Sequence, residues 1–153
     1  QADDRSDWNG MMTQPRVVEV EDGHIYFKVH PAVDSYMSKV LEDDEMLDFT
    51  KPYRIQTRLA PHEFVDIGGY RIYIEEDILK ADRSKVFKHY KNHRLTSDTP
   101  KLEGRYELDI FVNGNIIEIF ANGGRYVLSN IVYDLRHQLS GKIDKIMVAA
   151  ELL

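Results

Sequence analysis

The stretch Arg105–Asn130, RYELDIFVNGNIIEIFANGGRYVLSN, constrains the fold more than any other part of the chain. Tyr106, Leu108, Ile110 and Val112 alternate with Glu107, Asp109 and Phe111, the period-two pattern of a strand with one buried face. Asn113-Gly114 follows as a hairpin signal, because a type I′ turn needs positive φ at both central residues. Ile116–Ala121 returns, Asn122-Gly123-Gly124 turns again, and Tyr126–Ile131 completes a β-meander.

A two-residue loop at Asn113-Gly114 predicts Ile110 opposite Ile117 and Leu108 opposite Ile119, an apolar face. On the other face the same register pairs Phe111 with Ile116, Glu107 with Phe120 and Asp109 with Glu118. Two carboxylates directly opposite each other destabilise a ladder unless water, a cation or a function intervenes. The pair is expected on the solvent side of the meander, with a cation nearby (Arg105 or Arg125). Asp109→Asn is then expected to be neutral or mildly stabilising.

With 153 residues, one domain is the default and a real core is affordable in length. Hydrophobic residues make up 42% and charged residues 30%, a soluble globular balance, and no apolar run is long enough to span a membrane. A net charge of −6 argues against a nucleic-acid partner, which calls for a basic face. The absence of cysteine removes disulfides, thiolate zinc sites and cysteine nucleophiles, and leaves the redox compartment open. The chain opens without Met on a polar QADDRSD stretch, so it reads as a piece of something longer.

Residues 1–14 show no periodicity. Arg16–Glu21 and His24–Val29 are strand patterns around Asp22-Gly23. Pro31 opens a helix, with Val33, Tyr36, Met37, Val40 and Leu41 on one stripe. The acidic run Glu42–Glu45 reads as a solvated linker. Further strands are expected over Lys51–Ala60, Tyr70–Glu75, Ile78–Asp82 and Ile143–Ala150, a loop over Thr96–Pro100, and a helical turn near Tyr133–Leu139. Short strands at near-regular spacing predict an all-β sandwich of two antiparallel sheets, with a short N-terminal linker helix.

Asp109 with Glu118 is the one arrangement with a sharp chemical reading. Retaining glycosidases hold two carboxyl groups roughly 5–5.5 Å apart, close to cross-strand spacing. The bland alternative is a solvent-facing pair or a broken register, and it is favoured because catalytic groups usually sit on loops. His89 and His93 have the i, i+4 spacing of helical metal ligands, but no third ligand accompanies them. Lys85, Lys88, Lys91 and Arg94 surround them and disfavour a dication; a small anion such as a sugar phosphate suits the segment better. No metal or cofactor is expected. Nine tyrosines allow sugar stacking, as in a lectin-like module, although most such rings serve packing.

The stretch LDIFVNGNIIEIFANGGRYVLSN resembles the signature hairpins near the end of glycoside hydrolase family 32, the invertase and sucrose-6-phosphate hydrolase family. Three further matches lie in order. WNGMMTQPR, from Trp8 to Arg16, resembles the segment where the family's catalytic propeller ends; the helix from Pro31 resembles its interdomain linker; and Asp82-Arg83-Ser84 resembles a tripeptide of its C-terminal sandwich. The family usually carries an aspartate and serines where this chain has Asn113, Asn115 and Ile116, so the hairpin is a divergent copy. The resemblance implies residues 1–15 as the tail of a catalytic domain, 16–48 as linker hairpin and helix, and 49–153 as a jelly-roll or lectin-like C-terminal sandwich. It also implies a bacterial, cytoplasmic parent that releases fructose from sucrose or sucrose-6-phosphate. The family's catalytic aspartates lie in Asp-Pro motifs and its acid/base glutamate precedes a cysteine; this chain has no Asp-Pro and no cysteine, so no catalytic residue carries over. The implied partners are the parent's own propeller and, for oligomerisation, a second copy. The implied role is structural, with a carbohydrate-binding module and a small enzyme built on Asp109 and Glu118 as rivals.

Overall fold

The computed structural model describes residues 12–87 and 92–150. Strands β1 (Arg16–Glu21) and β2 (His24–Val29) form a two-stranded antiparallel sheet joined at Asp22-Gly23, where both residues take positive φ as the sequence requires. Helix α1 spans Pro31–Tyr36. The strands that follow are β3 (Lys39–Val40), β4 (Tyr53–Arg58), β5 (Phe64–Ile67), β6 (Tyr70–Glu75), β7 (Ile78–Asp82) and β8 (Thr96–Lys101). The meander is β9 (Glu107–Asn113), β10 (Ile116–Ala121) and β11 (Tyr126–Ile131), and β12 (Leu139–Gly141) and β13 (Lys145–Val148) complete the order.

Two antiparallel sheets make the sandwich, in the orders β11-β10-β9-β4-β13-β3 and β12-β5-β6-β7-β8. Alternation puts Tyr53, Ile55, Leu108, Ile110, Val112, Ile117 and Ile119 on the inner face of the six-stranded sheet. Val65, Ile67, Tyr70, Ile72, Ile74, Leu79 and Ala81 face them from the other sheet, so the two faces close one core. The inter-sheet polar tie is satisfied: the Tyr70 hydroxyl donates to Asn130 Oδ1 at 2.6 Å, and Asn130 Nδ2 donates to Ser97 Oγ at 2.9 Å.

Several expectations need correction. The meander's turn is Gly114-Asn115, with Asn113 paired to Ile116, and Gly114 alone has positive φ, the II′ pattern rather than I′. Each pairing therefore slides two residues along β10, so the faces survive but the partners change. Ile110 meets Ile119, Leu108 meets Ala121, Phe111 meets Glu118 and Asp109 meets Phe120. This register removes the like-charge pair, since Asp109 and Glu118 become diagonal neighbours.

The helix from Pro31 ends at Tyr36 after the His30 ring accepts from the Ala32 amide. Ser38 donates its hydroxyl to the Ser35 carbonyl, and Lys39–Val40 pairs with β13 instead of continuing the stripe. Ladder pairing wins because only Met37 of that stripe becomes fully buried, while Tyr36 and Val40 stay exposed. Thr96–Lys101 is an edge strand rather than a loop, and an edge tolerates Pro100. Tyr133–Leu139 holds no helical turn: Asp134 takes positive φ, and the segment runs beside Gly68 through Arg136 N–H to Gly68 O and Gly68 N–H to Gln138 O.

Candidate functional site

The candidate site is the outer face of the six-stranded sheet, built from β4, β9 and β10. Register places Arg54 beside Phe111 and Phe111 beside Glu118 in one row, with Gln56, Asp109 and Phe120 in the next. Charges and rings thus alternate in a checkerboard. Phe111 and Phe120 meet edge to face at 5.7 Å and, with Met37, form a small second core.

Arg54, 2% exposed, is the centre of the arrangement. It grips Asp109 with both ends of its fork, Nε to Oδ1 at 2.8 Å and Nη2 to Oδ2 at 2.7 Å. Its Nη2 also reaches Asp34 of α1 at 2.7 Å, and Nη1 donates to the Met37 carbonyl at 3.1 Å. Burial works against its charge, but the Asp109 and Asp34 carboxylates outweigh burial and hold its pKa above the ordinary value. The guanidinium also lies 4.8 Å from the Phe111 ring centre.

Glu118 is buried and makes a parallel contact. Its Oε2 accepts from Arg16 Nη2 at 2.7 Å, and its Oε1 accepts from the Gln14 amide at 3.1 Å. Arg16 reaches on to Ser129 Oγ at 2.9 Å. The expected solvent-facing pair is therefore covered, and its cations are Arg54 and Arg16 rather than Arg105, which pairs with Glu107, or Arg125.

All four carboxylate oxygens are thus engaged, by Gln14 and Arg16 or by Arg54. Asp109 borders a groove of about 360 Å³ with Gln56, Arg58, Glu107 and Asp144, whereas Glu118 borders a separate one of about 290 Å³ with Val33, Tyr36, Phe111 and Ile116. A substrate in either groove meets one of the two carboxylates. What the geometry does chemically is fasten: two arginine–carboxylate contacts hold residues 14–37 against the sheet.

The second predicted cluster is not brought together within the described residues. His89, Lys88 and Lys91 lie outside them, as does Trp8; His93 packs edge-on to Phe87 at 5.4 Å, and Arg94 pairs with Asp98. Among the described residues, no group of three or more His, Cys, Asp or Glu side chains could hold a metal ion. Arg83 of the Asp-Arg-Ser tripeptide is a buried brace. It donates to the carbonyls of Arg94 (3.0 and 2.7 Å) and Ile131 (2.9 Å) and stacks on Phe87, and burial pushes its pKa down. Asp82 Oδ1 accepts from the Ser84 amide, fixing the turn.

Arg54 and Asp34 were not singled out by sequence reasoning. Their partners lie 55 residues away along the chain in one case, so no local spacing reveals them. The only local signal is an arginine near the start of a strand, on the face away from the core.

Among known proteins, residues 69–144 match the family described as glycosyl hydrolases family 32 C terminal. A curated sucrose-6-phosphate hydrolase of Vibrio alginolyticus is 24% identical over 139 residues, which is 80% of this chain and 27% of that protein. The solved structure of sucrose-6-phosphate hydrolase from Lactobacillus gasseri superposes with a TM-score of 0.62 at 18% identity, over 87% of this chain and 32% of that one. The chain therefore spans about a third or less of the length of the proteins it matches. No helix among the described residues is long and apolar enough to cross a membrane.

Proposed function

Because the chain carries the C-terminal domain of glycosyl hydrolase family 32, we propose that it is the non-catalytic brace of a β-fructosidase. The parent hydrolyses sucrose-6-phosphate, as the name of the Vibrio relative suggests, or sucrose, and residues 1–15 end its catalytic domain. Residues 16–48 are the linker and residues 49–153 the sandwich. The observation that carries the reading is the double clasp, Arg16 to Glu118 and Arg54 to Asp34 and Asp109, which ties the linker to the sandwich.

Hydrolysis of a fructoside needs an acid and a nucleophile on opposite sides of one bond, in a pocket that grips the sugar. Asp109 and Glu118 open to different grooves and hold arginines instead. Incubation of the purified chain with sucrose and with sucrose-6-phosphate is expected to release no fructose. Addition of the chain to the parent's separately expressed catalytic region is expected to raise that region's thermal stability and activity. Turnover by the chain alone that both Asp109→Asn and Glu118→Gln abolish refutes the reading, as does a catalytic region indifferent to the chain.

A further inference from the structure

Asparagine followed by glycine is a chemically labile pair. The glycine amide nitrogen attacks the side-chain carbonyl carbon of the asparagine, a succinimide ring closes, and the side-chain nitrogen leaves as ammonia. Water then opens the ring to give isoaspartate or aspartate, so overall a water is consumed, an ammonia is released and no oxidation state changes. Glycine favours the attack because it has no Cβ to crowd the nitrogen. Such pairs occur here at Asn9-Gly10, which lies outside the described residues, at Asn113-Gly114 and at Asn122-Gly123.

The two described pairs present nearly the same glycine. Gly114 and Gly123 are both exposed, take φ of +58 and +70, and have open space where a Cβ would stand. Their asparagines differ. Asn122 is buried, 6% exposed, and its amide is held at both ends: Oδ1 accepts from the Glu107 amide at 3.0 Å, and Nδ2 donates to the Arg105 carbonyl at 2.7 Å. Ring closure swings the side-chain carbonyl toward the glycine nitrogen and expels Nδ2. Both bonds must therefore break, and the Glu107 N–H loses its acceptor. Asn113, the last residue of β9, is exposed, and its side chain makes no hydrogen bond among the described residues. Its backbone belongs to the end pair of the β9–β10 ladder, Asn113 with Ile116. The end of a hairpin opens at far lower cost than the interior of a sheet.

We propose that Asn113 is a deamidation site of the folded domain, and that Asn122, in the same dipeptide, is protected by its two hydrogen bonds. The product carries a new carboxylate at the tip of the β9–β10 hairpin. Isoaspartate also lengthens the backbone there by a methylene, against a turn whose type and register depend on loop length.

The test holds the full chain folded in mildly alkaline buffer beside a sample unfolded in guanidinium chloride at the same pH, until the unfolded chain has reacted. Peptide mapping by mass spectrometry follows each Asn-Gly pair separately, and enzymatic methylation of isoaspartate identifies the product. The unfolded chain is expected to react at similar rates at both sites. In the folded chain Asn113 is expected to react at least ~tenfold faster than Asn122, a ratio that two hydrogen bonds of ordinary net strength supply. Asn113→Gln needs a larger, slower-forming ring at an exposed position, so it is expected to abolish the Asn113 signal with the thermal midpoint unchanged. Folded rates at the two sites within that factor of each other overturn the proposal, as does a faster Asn122. A folded chain that does not react at Asn113 while the unfolded chain does overturns it equally.

Discussion

Asp109→Asn is expected to destabilise the chain by about 3 kcal/mol, opposite in sign to what a solvent-facing like-charge pair implies. The substitution is isosteric, so its effect is electrical and hydrogen-bonding. Asp109 Oδ2 accepts from Arg54 Nη2 at 2.7 Å, and an amide nitrogen there sets donor against donor. Arg54 is then a nearly buried cation whose remaining carboxylate, Asp34, is largely solvent-exposed. Breaking a buried pair by removing one partner costs about 3–5 kcal/mol. The surviving contacts to Asp34, the Met37 carbonyl and the Phe111 ring keep the loss near the lower end. Urea unfolding at neutral pH measures it, with an unchanged m-value as the sign that the native state stays compact. A thermal midpoint lower by about 6–12 °C is equivalent for a chain of this size. Glu107→Gln, which removes the exposed Arg105 pair, is the control and is expected to cost less than about 1 kcal/mol. Asp109→Asn within 0.5 kcal/mol of wild type, as a rough limit for an ordinary surface substitution, refutes Asp109 as the essential partner of the buried Arg54.

Two neighbouring glycines are expected to differ sharply. Gly123→Ala adds a Cβ into open space at φ +70 and is expected to cost about 1–2 kcal/mol of backbone strain, whereas Gly124→Ala at φ +94 drives a Cβ into the Phe27 carbonyl and should lift the hairpin; equal thermal midpoints and equal protease sensitivity of the hairpin refute this. Asp77 is held below the usual carboxylate range by the Tyr106 hydroxyl and the Gly104 amide. A depressed folded pKa stabilises above the ordinary value of about 3.9 and is lost as pH falls through the folded value. The urea-midpoint difference between wild type and Asp77→Asn should therefore be steady near neutral pH and disappear in acid, and a difference that survives at the lowest pH refutes the assignment.

Turn chemistry explains most of what was legible in the sequence. Asp22-Gly23 brackets β1 and β2 to the residue, and Tyr70–Glu75, Ile78–Asp82, Ile116–Ala121 and Tyr126–Ile131 were equally clear from alternation between turns. Thr96–Lys101 was illegible because an edge strand needs pairing on one side only, so it tolerates a sequence of turn formers. Phe64–Ile67 is too short to show a period beside Gly68-Gly69. Val40 followed a helical spacing that tertiary pairing with β13 overrode. The candidate site was half visible. Alternation correctly put Asp109 and Glu118 on one face, but the arginines that give the face its purpose arrive from residues 54 and 16, and only the folded chain brings them there.

The place of β13 sets an order of events during synthesis. It lies between β4 and β3, yet it leaves the ribosome after every other strand described. Until it arrives, β3 has no ladder partner and β4 presents a free edge of backbone donors and acceptors, a template for unwanted pairing. The clasp at Arg54 is itself on β4, so the linker can be fastened while the sheet beside it is still open. An early clasp would fix Asp34 and the Met37 carbonyl to β4 before β13 pairs beside it, so the place of the linker is set ahead of the last strand of the sheet.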